Sequence, residues 1–123
     1  MFEAAIVEKR KDPRVNAHLV VSYLQQDGEY KFDISQAKNI SAGGMLLTSC
    51  KPFTKDVFLA LKVRLPLLTE PVALLARVLE SREVMPGVIY DNRLKFQAID
   101  EADRVALKDT LQVLLGRAKI API

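Results

Sequence analysis

The run Val57-Phe58-Leu59-Ala60-Leu61-Lys62-Val63-Arg64-Leu65 alternates strictly. Val57, Leu59, Leu61, Val63 and Leu65 share one face, and Ala60, Lys62 and Arg64 share the other. A period of two belongs to an extended strand, whose successive side chains point to opposite faces. The apolar face must be covered, so this one strand commits its neighbours to a sheet. The chain supplies them. Val15, Ala17, Leu19, Val21 and Tyr23 oppose Asn16, His18 and Ser22. Phe32, Ile34 and Gln36 oppose Lys31, Asp33 and Ser35 in a strand over about residues 30–38, where the apolar pair marks the inner face. Residues 45–48 make a short strand. Val72, Leu74, Ala76 and Val78 form another inner face with Arg77 and Leu79 outside, and Leu94 and Phe96 point inward from a last strand over residues 88–97.

Turn chemistry separates these segments. Asp27-Gly28 is a hairpin signal. Lys51-Pro52-Phe53 breaks the pattern, Pro66 and Pro71 bracket a loop, and Pro86-Gly87 reads as a turn. The end of the chain is helical. Asp100 can cap a helix whose first turn carries Glu101 and Asp103, and Leu107, Leu111, Leu114, Leu115 and Ala118 form one apolar stripe. Gly116 and Arg117 read as its stop. Short antiparallel strands in this number predict a mainly all-β fold, a small six-stranded barrel with a C-terminal α-helix, since closure removes exposed edges. The predicted organisation is an N-terminal arm over 1–13, the barrel and helix over 14–118, and a tail over 119–123.

Composition narrows the function. At 123 residues and half apolar the chain fits one globular domain. A net charge of +3 is too small for general nucleic-acid binding. No apolar run approaches the length of a membrane span, which with the absence of a signal peptide predicts a cytoplasmic protein. The single cysteine, Cys50, falls in a predicted strand and reads as a small buried hydrophobe in a reducing compartment. The single histidine, His18, has no ligand cluster beside it, so no metal site is predicted. No acid pair, triad spacing or nucleophile-base pair points to an enzyme or to a cofactor.

Two stretches stand apart from this scaffold. Asn39-Ile40-Ser41-Ala42-Gly43-Gly44 is a tight polar turn between two strands; such a turn exposes backbone N–H groups, and glycine lets another group come close. Upstream, Arg10 and Arg14 stand four apart in Arg10-Lys11-Asp12-Pro13-Arg14, about 13 Å in an extended segment and nearer if the chain bends at Pro13. Arginine donates bidentate hydrogen bonds to phosphate or to a guanine edge and stacks on a base.

Together these stretches resemble the two signatures of the PilZ domain, RxxxR and [D/N]xSxxG, here Arg10/Arg14 and Asn39/Ser41/Gly44. The resemblance runs from Arg10 to Arg117. It implies a bacterial receptor for cyclic di-GMP, a regulatory ligand that is bound and not turned over. It assigns the ligand to Arg10, Arg14, Asn39, Ser41 and Gly44, with Lys9, Lys11, Gly43 and Leu79 as secondary candidates. Leu79 stands where many relatives carry an aromatic, and Asn39 where many carry Asp. Arg77 and Arg93 read either as further ligand contacts or as solvated residues of the polar face. The implied partners are the nucleotide and an unidentified protein effector, and Val113, off the main helix stripe, marks a surface for a homodimer. The alternative is an interaction module of the same fold that binds no nucleotide.

Overall fold

Strand β1 spans Val15–Gln25, β2 Asp33–Ile40, β3 Gly44–Ser49, β4 Phe58–Val63, β5 Val72–Met85 and β6 Ile89–Ile99; helix α1 spans Glu101–Lys119. The computed structural model describes residues 13–25 and 32–119, with side chains to residue 116. The strands close into a barrel in the order β1-β2-β3-β6-β5-β4. Every neighbouring pair is antiparallel, and β4 returns to β1 through Val21↔Val63 and Tyr23↔Leu61. Closure follows from the alternation: each strand has one apolar face, and a ring turns all of them inward at once.

The interior is largely the predicted one for β1, β4, β5 and β6, though Ala17, at the β1 irregularity between Asn16 and Leu19, is only partly buried. Leu19, Val21 and Tyr23, then Leu59, Leu61, Val63 and Leu65, then Val72, Leu74, Ala76 and Val78, are all buried, with Leu94. Burying one such aliphatic side chain stabilises the fold by about 1.5–3 kcal/mol relative to exposure. Phe96 is only partly buried and packs on the core from its margin. Helix α1 contributes Leu107 and Leu111 to the same core, with Leu114 and Leu115 packed beside them. Its start is tied to the sheet: the Ala73 N–H donates to Asp103 Oδ2 at 3.2 Å, and the Asp100 carbonyl accepts from the Arg104 N–H at 2.8 Å.

Several expectations fail for identifiable reasons. Phe32, Ile34 and Gln36 lie outside the barrel, with Ile34 75 % exposed, while Ala37 and Ile40 are buried. The ladders explain this. The β2–β3 register jumps between Ala37 and Asn39, so Lys38 is an extra residue at a bulge. A shift of one residue moves a strand's side chains to its other face. Strand β5 continues to Met85, past its inner face, because it pairs with β6 down to Met85↔Ile89. Gly116 does not stop α1, which runs to Lys119. Cys50 lies just beyond β3 and is exposed. Val57 precedes β4 and is half-buried. Asp27-Gly28 and the arm residues up to Asp12 lie outside the described residues.

Candidate functional site

The polar turn is held by its own serine. The Ser41 N–H donates to the Gly44 carbonyl at 2.8 Å, and Ser41 Oγ accepts from the N–H groups of Gly43 and Gly44, each at 3.2 Å. Ser41 Oγ also lies 3.3 Å from the Gly44 carbonyl as a donor, and the residue is 6 % exposed. The turn therefore does not offer the N–H groups of Gly43 and Gly44 to another molecule, contrary to the expectation from its sequence. Gly44 sits against β6. A Cβ built on it would lie 2.2 Å from the Leu94 carbonyl oxygen. The close approach that glycine permits here is that of one strand to the next. The adjoining Gly43 carbonyl accepts from the Phe96 N–H at 2.8 Å, which pins the turn to the same strand.

Asn39 leaves this turn on the outer surface, because the bulge at Lys38 sets Lys38 and Asn39 side by side, both half-buried, between inward Ala37 and Ile40. There Asn39 meets Arg14. The guanidinium Nη1 of Arg14 donates to Asn39 Oδ1 at 2.9 Å, across 25 positions of sequence. The second arginine of the upstream motif and the first residue of the turn motif are thus one contact. Arg10, Lys9 and Lys11 lie outside the described residues.

Arg14 and Asn39 form one side of a cleft of about 340 Å³ whose other walls are Leu46, Glu80, Arg82, Asp91 and Arg93. Strand register gathers these residues. Asn39 pairs with Leu46, Leu46 with Arg93 and Arg93 with Glu80, which makes one row across four strands. Asp91 pairs with Arg82 in the next row. The charges are partly matched. Arg93 Nη1 is 3.5 Å from Glu80 Oε1, both side chains being half exposed. Lys38 Nζ reaches Asp91 Oδ2 at 2.9 Å across the intervening β3. Asp91 Oδ1 is buried and takes no hydrogen bond among the described residues.

Sequence reasoning did not find Glu80, Arg82 or Asp91, and left Arg93 open. Their signal was faint: charges at alternate positions of β5 and β6, which also suits a solvated strand face. Arg77, the other open arginine, pairs with Asp56 at 2.6 Å and does not line the cleft. Leu79 does not line it either; it is half-buried, at the bulge where the β5–β6 register jumps between Val78 and Glu80. Among the described residues no group of acidic, histidine or cysteine side chains is placed to hold a metal, and no helix is long and apolar enough to cross a membrane. His18 is exposed and lines a separate, wide and largely apolar groove with Ile34, Val84 and Val88.

The arrangement suits an anionic, planar ligand. Arginine supplies donors and stacking planes, and Leu46 is an apolar surface for a ring face. Comparison with known proteins bears on the fold and the family. The barrel is similar to the Bacillus subtilis inhibitor of motility MotI/DgrA, with TM-score 0.75 and 22 % identity over 94 % of this chain and 54 % of that one. It is similar to K. pneumonia MrkH in a structure described as a c-di-GMP complex, with TM-score 0.73 and 18 % identity over 94 % and 57 %. It is also similar to the PilZ domain of Escherichia coli YcgR, a structure described as holding c-di-GMP, with TM-score 0.64 and 14 % identity over 94 % of this chain and all of that domain. The chain spans about half the length of the first two. No curated protein sequence matches it. The family model of the PilZ domain matches residues 8–112. By fold, by motif and by that match over most of its length, the chain belongs to the PilZ domain family.

Proposed function

We propose that this protein is a receptor for cyclic di-GMP. The observation that carries the reading is the Arg14–Asn39 hydrogen bond, which joins the two sequence motifs in the lining of one charged cleft. The nucleotide bridges the arm over residues 1–13 and the barrel and helix over 14–118. Arg10 and Arg14 take its phosphates and guanine acceptors, with Lys9 and Lys11 adding charge. Asn39 presents its amide to a base. Ser41 and Gly44 hold the turn in the shape that presents Asn39, with Gly43 between them. The protein acts by binding and not by turnover; the bound arm reshapes a surface that a protein effector reads. A ligand shifts such an equilibrium only by its differential affinity for the two arm states. A cytoplasmic setting fits the lone, exposed thiol of Cys50.

Calorimetric titration of cyclic di-GMP into the wild type and into Arg14→Ala tests this. Each charge-assisted hydrogen bond contributes about 1.5–3 kcal/mol, so loss of Arg14 weakens binding at least tenfold. Equal affinity in the two proteins removes the cleft from the reading. A silent titration of folded wild type favours the second reading, an interaction module without nucleotide. The exposed apolar side chains around the His18 groove, above all Ile34, favour that alternative.

A further inference from the structure

Resting on the receptor reading, we infer that Asp91 is the residue that selects guanine, by accepting a hydrogen bond from the exocyclic amine of the base. Guanine presents acceptors at O6 and N7 and donors at N1 and its 2-amine. A cleft that distinguishes it needs donors for the first pair and an acceptor for the second. Donors are plentiful: Arg14, Arg82 and Arg93 line the cleft, and arginine has no acceptor atom. Acceptors are few. Asn39 Oδ1 already receives Arg14 at 2.9 Å. Glu80 is half exposed and paired with Arg93. That leaves Asp91, which is 7 % exposed and whose Oδ1 has no hydrogen-bond partner among the described residues.

The carboxylate is fixed for this task. Lys38 Nζ holds Oδ2 at 2.9 Å, so the two oxygens are distinguished and Oδ1 is the one left over. A buried acceptor without a partner is unfavourable, and a ligand that supplies the missing donor gains what its analogue without that donor does not. Oδ1 is itself buried, so a base reaches it only as cleft side chains move aside, and Glu80 and Arg93, each 54 % exposed, are free enough to do so.

Asp91→Asn is a sharp test because Lys38 decides how the new amide turns. Lysine only donates, so the amide oxygen faces Lys38 and the NH2 faces the cleft, donor against donor. Calorimetry compares cyclic di-GMP with its analogue carrying hypoxanthine in place of guanine, which lacks only the 2-amine. The wild type is expected to bind cyclic di-GMP at least tenfold more tightly than the analogue. Asp91→Asn is expected to lose at least tenfold toward cyclic di-GMP and to change little toward the analogue, closing the gap. Wild type that binds both nucleotides equally overturns the inference. So does a variant that weakens both alike, which would mark Asp91 as a structural residue. If Asp91→Asn does not fold, Lys38→Met, which frees Asp91 Oδ2 and leaves the carboxylate in place, is expected to keep the preference for cyclic di-GMP, and its loss there or in the wild type overturns the inference. A folded wild type that binds neither nucleotide fails the receptor reading itself, and this inference with it.

Discussion

Gly44→Ala distinguishes a glycine kept for the fold from one kept for a ligand. The added Cβ would sit 2.2 Å from the Leu94 carbonyl oxygen, and real Cβ contacts essentially never fall below 3.0 Å, so β3 and β6 must part by roughly 0.8 Å. Backbone, and no flexible side chain, has to yield. Overpacking of this kind destabilises by about 1–3 kcal/mol. The same movement stretches the Phe96 N–H to Gly43 carbonyl bond from its 2.8 Å. Losing that bond removes about 0.5–1.5 kcal/mol more. The expected loss is therefore about 2–4 kcal/mol, which for a chain of this size lowers Tm by about 10 °C. Urea denaturation followed by circular dichroism reads the loss directly, and a thermal melt reads the shift in Tm. A variant that melts within a degree or two of wild type would refute the strand-contact argument. It would leave ligand approach as the reason for glycine at this position.

The other glycines predict different signs. Gly116→Ala meets nothing within 4 Å inside α1 and is expected to raise stability by up to about 1 kcal/mol, measured in the same urea series. Gly87→Ala also has open space, but its φ of +71° is left-handed, so a loss of about 1 kcal/mol is expected. Asn92 is fully buried and donates to the Leu47 carbonyl at 2.9 Å and to Ser49 Oγ at 2.8 Å; Asn92→Ala is expected to cost about 1–3 kcal/mol in denaturant unfolding. Glu101 is held below the usual carboxylate range, chiefly by its hydrogen bond from Arg104. Its contribution is present above the carboxylate value of the unfolded chain and is lost as pH falls through the depressed folded value. Wild type and Glu101→Gln should accordingly differ in Tm at neutral pH and converge in acid; a gap that persists at low pH contradicts the assignment.

The barrel was largely legible because burial and alternation are the same fact seen twice. Val21, Leu59, Leu61 and Val78 occur at period two because they face inward, and each is no more than 1 % exposed. Legibility ended where the backbone departs from the pleat. In β2, counting back by twos from buried Ile40 puts Phe32, Ile34 and Gln36 inside; the extra residue at Lys38 reverses the phase, and only the pairing reveals it. The far part of β5 was missed because beyond Val78 it no longer lines the core, so nothing selects for apolar residues there. The turn motif was legible as a motif, but not the division of labour within it. Ser41 and Gly44 serve the turn and the strand contact, while Asn39 accepts from Arg14. Glu80, Arg82, Asp91 and Arg93 are brought together by hairpin register, which no local pattern announces.

The ladder between β4 and β5 ends at Phe58↔Arg77, with the Asp56 N–H donating to the Val78 carbonyl and the Val78 N–H to the Val57 carbonyl just beyond, whereas β5 stays paired with β6 to Met85. From Glu80 onward, among the described residues, β5 therefore has a strand on one side only. Local opening energies follow such differences, and amide protons on a singly paired ladder exchange through small openings while those of the ring wait for global unfolding. The cleft straddles the two regimes. Asn39 and Leu46 stand on strands paired on both sides, and Glu80 and Arg82 on the segment paired on one. One wall of the cleft can thus adjust to an incoming molecule while the rest of the protein keeps its register.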